Sequence, residues 1–139
     1  MISRNQSHYI IMSAIYITLV DFNYAKGEAA RSSEDIIRSL LEDEREEIPL
    51  FILDSVNLSL LHYNDAANAI IPHLKGWVWD RIPLLSQAIL VMSYTHFYFV
   101  EKGKVDKRVV INTAVDLAKK YVEEKQGKFI NAILEKVLN

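Results

Sequence analysis

From Leu84 to about Val100 the chain carries Leu84, Leu85, Ala88, Ile89, Val91, Met92, Phe97 and Phe99, apolar on nearly every side of a helical wheel. A helix that is apolar all round has no face to offer water, so other elements must surround it. Pro83 suits the first turn of such a helix, where its missing N–H costs nothing. The stretch is therefore expected to be the long central helix of a bundle. With 139 residues the chain can bury one core around it, and a single domain over residues 1–139 is expected.

The flanking segments read as its partners. In Tyr9 to Val20, Ile10 and Ala14, and Ile11 and Ile15, recur at helical spacing, which makes this a buried first helix. It falls short of the roughly 20 apolar residues a bilayer requires. Ser13, Tyr16 and Thr18 also interrupt it as a signal-peptide core. A cytoplasmic protein without membrane association is expected. Asp21 to Arg31, with Gly27, reads as a loop, and Ser32-Ser33-Glu34-Asp35 as the capped start of a helix whose core stripe is Ile36, Ile37, Leu40 and Leu41. The acidic run Glu42 to Glu47 reads as its solvated end, with Pro49 preventing continuation.

Further segments at about 50–62 and 65–75 are separated by Asn64-Asp65, with Asp65 as a cap and Gly76 as the closing residue. Glu101-Lys102-Gly103-Lys104 reads as a turn and Asp106 as another cap. The chain ends in two apolar stripes, Val110, Ala114, Leu117, Ala118 and Tyr121, then Phe129, Ile130, Ile133, Leu134 and Val137. Two core-facing helices joined by a tight turn are expected there. No strand alternation of useful length occurs, so the fold class is all-α with about seven helices.

Several chemistries are excluded. With no cysteine there is no disulfide framework, thiolate metal site or thiol nucleophile. His8, His62, His73 and His96 show neither i,i+4 pairing nor a carboxylate at ligand spacing, so no metal is expected. Four scattered glycines make no phosphate-binding loop or dinucleotide fingerprint, and the serines have no nucleophile-elbow context. No enzyme activity and no cofactor are expected. Charge is uneven along the chain: residues 1–70 hold 11 acids against 5 Lys or Arg, and residues 101–139 hold 9 Lys or Arg against 6 acids. Lys102, Lys104, Lys107, Arg108, Lys119, Lys120, Lys125 and Lys128 could meet phosphates, with Tyr121 and Phe129 among them as stacking groups. Spacing alone favours both rings as core and the lysines as solubilising.

The strings Val109-Val110-Ile111-Asn112-Thr113-Ala114-Val115-Asp116-Leu117-Ala118-Lys119-Lys120-Tyr121 and Lys128-Phe129-Ile130-Asn131-Ala132-Ile133-Leu134-Glu135-Lys136 resemble the C-terminal signature of the NusB antitermination family, V-x-I-N-E-A-V-x-L-A-K-x-F and K-F-V-N-G-V-L-D-K. Leu74-Lys75-Gly76-Trp77, Asp80 to Leu84 and Ala88-Ile89-Leu90 are similar to the family run L-x-x-W-x-x-x-R-L-P-x-V-D-R-A-I-L-R, and Ala14-Ile15-Tyr16 falls where the family has A-L-Y. The resemblance implies two three-helix-like subdomains around the long central helix. It implies binding of boxA-type RNA in nascent ribosomal RNA leaders together with NusE, a small-subunit ribosomal protein, within the transcription elongation complex. A homodimer stays open.

The resemblance places RNA contacts at Arg4, Asn5, Gln6 and His8, before the A-L-Y block, and at Lys128 and Asn131 near the start of the last helix. Here the family's arginine-rich stretch R-R-x-A-R-E is thinned to Arg4-Asn5-Gln6-Ser7-His8-Tyr9, which weakens RNA affinity and flattens its salt dependence. Thr113, Ala132, His96 and Ser86 also replace family residues, three of them acidic. Two functions compete: an RNA-binding antitermination factor, and a protein-interaction module of the same fold with weakened or lost RNA binding.

Overall fold

The computed structural model describes residues 2–24 and 31–139, and among these every regular element is helical. The α-helices are α1 (Arg4–Tyr24), α2 (Ser33–Leu40), α3 (Leu50–Leu61), α4 (Tyr63–Ile70), α5 (Leu84–Thr95), α6 (Lys107–Tyr121) and α7 (Glu124–Val137). Two 3₁₀ turns, Ile71–His73 and Trp79–Arg81, lead from α4 to α5. A π-helical turn, His96–Val100, prolongs α5.

α5 is the hub its sequence calls for. It packs against α1, α3, α4, α6 and α7, and Ala88, Ile89, Leu90 and Val91 are fully buried. On one side α1 packs against α2 and α3; on the other α6 and α7, joined by Val122 and Glu123, fold back on each other and against α5. α4, which also touches α5 and α7, completes the second group, so two three-helix groups share one central helix. Buried apolar side chains from both groups form one cluster, from Ile11 and Ile37 to Leu117 and Leu134.

Local chemistry sets the helix starts. Ser32 Oγ accepts from the Asp35 amide at 3.1 Å, and Asp106 Oδ1 accepts from the Arg108 amide at 2.8 Å. At α1, Ser3 Oγ accepts from the Gln6 amide at 3.1 Å while Gln6 Oε1 accepts from the Ser3 amide at 2.8 Å, a reciprocal capping box. Two buried polar side chains of α5 are paired across elements, whereas His8 Nε2, Ser55 Oγ, Ser59 Oγ, Thr95 Oγ1 and His96 Nε2 are buried without a hydrogen-bond partner among the described residues. Gln87 Nε2 donates to the Trp79 carbonyl at 2.8 Å, and Ser86 Oγ donates to Gln126 Oε1 at 2.8 Å, tying α5 to α7.

Several boundaries differ from the sequence reading. α1 runs on to Tyr24, residues 25–30 of the expected loop, Gly27 included, lie outside the described residues, and Arg31 pairs with Asp21 at 3.0 Å. α2 stops at Leu40, so the acidic run is a loop, held by the Arg38 guanidinium donating to the Glu44 carbonyl at 3.0 Å. α4 begins at Tyr63, which puts Asp65 in its first turn, hydrogen-bonded to His62 Nδ1 at 2.8 Å, in place of the cap. Gly76, at φ 80°, serves the turn beyond the first 3₁₀ segment and not the end of α4. Regular α-helix ends at Thr95, where the Glu101 amide reaches back to the His96 carbonyl at 3.0 Å, a five-residue step. Tyr121 is exposed and Phe129 only partly buried, so neither ring is core.

Candidate nucleic-acid interface

The start of α1 carries four of the residues expected to meet RNA, and the structure separates them. Arg4 points outward: its guanidinium lies 4.0 Å from the centre of the Phe51 ring, and Nη1 is 3.4 Å from Glu101 Oε1. More than half of its side chain stays in solvent, so the ion pair is weak. Asn5 is exposed. Gln6 is exposed too, but its carbonyl oxygen is committed to the capping box, which leaves only the amide nitrogen as a further donor.

His8 is turned inward. Only 8 % of it is exposed, and its ring centre lies 6.1 Å from that of Phe51 on α3 and 6.2 Å from that of His96 in the π-turn. Burial, reinforced by His96 and Arg4 and opposed by Glu101, lowers its pKa from 6.5 to about 4. The ring is neutral at pH 7 and away from the surface, which removes it from the expected RNA contacts.

Lys128 and Asn131 are exposed one turn apart on α7. They sit on the α6–α7 pair, whereas Arg4 and Asn5 sit on α1 against α2, α3 and α5. No hydrogen bond or ion pair among the described residues joins the two groups.

Sequence spacing missed a feature between α1 and the end of α6. The Tyr9 and Tyr121 rings meet at 5.1 Å with a 46° tilt, and 39 % and 36 % of these residues remain exposed. Lys120 Nζ stands 5.4 Å from the centre of the Tyr121 ring. Tyr9 also lines a cavity of about 270 Å³ with Gln6, Ile10, Leu41, Glu42 and Glu46. The available signal was that Asn5, Tyr9 and Tyr16 recur on one face of α1 at i, i+4 and i+11.

The sequence model of the NusB family matches residues 8–139, nearly the entire chain. The chain belongs to the NusB family. A transcription antitermination protein NusB from Halalkalibacterium halodurans is 37 % identical over 107 residues, 77 % of this chain and 78 % of the relative. Its counterpart from Sulfurovum sp. is 33 % identical over 138 residues, covering 99 % and 98 % of the two chains. Among solved structures, T. maritima NusB superposes with a TM-score of 0.79 at 20 % identity, over 99 % of this chain and 92 % of that one. A chain from the crystal structure of antitermination factors NusB and NusE in complex with dsRNA superposes with a TM-score of 0.70 at 20 % identity, over 98 % and 97 %. At such identities the superpositions speak for the NusB fold. Among the described residues no helix is long and apolar enough to cross a membrane, and no group of three His, Asp or Glu side chains could hold a metal ion.

Proposed function

We propose that this chain is a cytoplasmic transcription antitermination factor that binds boxA-type RNA of nascent ribosomal RNA leaders together with NusE, within the transcription elongation complex. The observation that carries this reading is the family match over residues 8–139, which includes the paired helices α6 and α7 that present Lys128 and Asn131. The solved assembly of NusB with NusE and double-stranded RNA supports the choice of partners. In this reading Arg4, Lys128 and one neighbouring lysine neutralise phosphates. Asn5, Asn131 and the Gln6 amide nitrogen hydrogen-bond to RNA.

Electrostatics then make the chain a weak binder alone. About three phosphate contacts give a salt slope of about −2 on single strands. Arg4 must also exchange its contact with Glu101 for a phosphate. Tight binding therefore needs a second protein surface that holds the same RNA.

Labelled boxA-type RNA is titrated with the chain alone and with NusE added, at two salt concentrations. Binding at least tenfold tighter with NusE, and a further loss on Arg4→Ala, is expected. Equal affinity with and without NusE would reject joint binding. No binding in either case would leave the protein-interaction module, for which the thinned arginine stretch is the motivating observation.

A further inference from the structure

Large side chains that close a core lose most of their surface, but Tyr9 and Tyr121 keep more than a third of theirs although they lie against each other. They come from opposite ends of the chain, 112 positions apart, and they meet only because α5 brings α1 and α6 into one bundle. Three kinds of group converge there. The two rings offer π-faces, the Lys120 ammonium offers a positive charge, and Asn5, one turn before Tyr9 on the same exposed face and about 6 Å away along the axis, offers an amide.

Lys120 is a different case from its neighbour. Lys119 Nζ lies 3.8 Å from Glu124, whereas Lys120 makes no ion pair among the described residues. The cavity that Tyr9 also lines has two acidic residues in its wall, Glu42 and Glu46, which disfavour phosphate there. A polyanion crossing Tyr9 is therefore steered toward Tyr121 and Lys120. Aromatic faces beside a free cation are the combination that holds unpaired nucleotides without reading their sequence.

We propose that Tyr9 and Tyr121 form a stacking site for an unpaired base of single-stranded RNA, with Lys120 neutralising the adjoining phosphate and Asn5 bonding the next nucleotide. The site rests on the RNA-binding reading above and extends it from the start of α1 to the end of α6. It also supplies affinity that the thinned arginine stretch does not.

The test uses the full chain with NusE and a short single-stranded boxA-type RNA carrying an end label and 2-aminopurine at one position in turn. Anisotropy of the label reports binding, and 2-aminopurine fluorescence reports stacking. At one or two adjacent positions, binding is expected to quench the fluorescence. Tyr121→Leu and Tyr9→Leu should each abolish that quenching and weaken binding about fivefold or more, whereas Tyr121→Phe should preserve both. Lys120→Ala should flatten the salt slope by about 0.7. Circular dichroism verifies that each variant is folded, and the wild-type quenching pattern needs no variant at all. Binding without quenching at any position, or leucine variants that bind as tightly as wild type, would overturn the stacking site alone. No anisotropy change for wild type with NusE would reject the RNA-binding reading and the stacking site together.

Discussion

Replacing His8 by phenylalanine should make the protein markedly less sensitive to acid. His8 titrates near pH 4 in the folded chain and near 6.5 when exposed, because burial, His96 and Arg4 oppose its protonation more than Glu101 favours it. Above pH 6.5 the ring is neutral in both states and favours neither. As pH falls from 6.5 towards 4, the unfolded chain takes up a proton that the folded chain refuses, so stability is lost across that window. Between about pH 7 and about pH 4.5, a pKa of 4 against 6.5 makes this loss about 2 kcal/mol. The introduced phenyl ring would pack against Phe51 without burying a nitrogen, and His8 Nε2 has no hydrogen-bond partner to lose.

Urea unfolding of wild type and His8→Phe, followed by circular dichroism at the two pH values, isolates the contribution, since carboxylates titrate alike in both chains. The wild-type midpoint should fall by about 1 M more than that of the variant, at ordinary urea slopes. If both proteins lose the same stability on acidification, the ring is not held neutral and the burial argument fails.

Two further outcomes follow from the packing. We propose that residues 1–139 unfold as one unit, because α5 serves both helix groups; thermal unfolding should show a single transition, and Ile89→Asp, which buries an unpaired charge, should abolish folding. Two separable wild-type transitions would show that the halves fold independently. Phe129 is only partly buried and rests against the exposed Trp77 at 5.3 Å, so Phe129→Ala should cost about 2 kcal/mol, below the roughly 3–5 typical of a core phenylalanine, while Lys125→Ala stays within about 0.5. A loss above about 4 kcal/mol in chemical denaturation would mean that Phe129 is a core anchor after all.

Features fixed by neighbours in the chain were legible in the sequence. The all-round apolarity of α5 pointed to its central place, and Ser32 and Asp106 cap where their side chains suggest, because a cap needs only the next two or three residues. Features fixed by distant residues were not. Helical spacing puts Tyr121 on the α6 core stripe, but Tyr121 is the last residue of α6, and the ring it meets is that of Tyr9 of α1. His8 lies inside because Phe51 and His96 come to it from α3 and the π-turn, contacts that no local spacing encodes. Gln6 was legible as a polar group at the start of α1, but its first duty is to the helix end.

The π-turn after α5 acts as a phase shifter. One extra residue in a helix rotates everything beyond it by about 100°. With that rotation, the Tyr98 hydroxyl donates to the Val137 carbonyl at 2.8 Å and accepts from the Asn139 amide at 3.1 Å. Phe99 stacks on His62 at 3.7 Å and 5°. Removing His96 or Phe97 would let the helix heal into ordinary α geometry. It would nevertheless point Tyr98 and Phe99 the wrong way, loosening the end of α7 and the α3–α4 corner at once. Length in this segment is therefore an angular setting for Tyr98 and Phe99, and through them for the end of α7 and the α3–α4 corner.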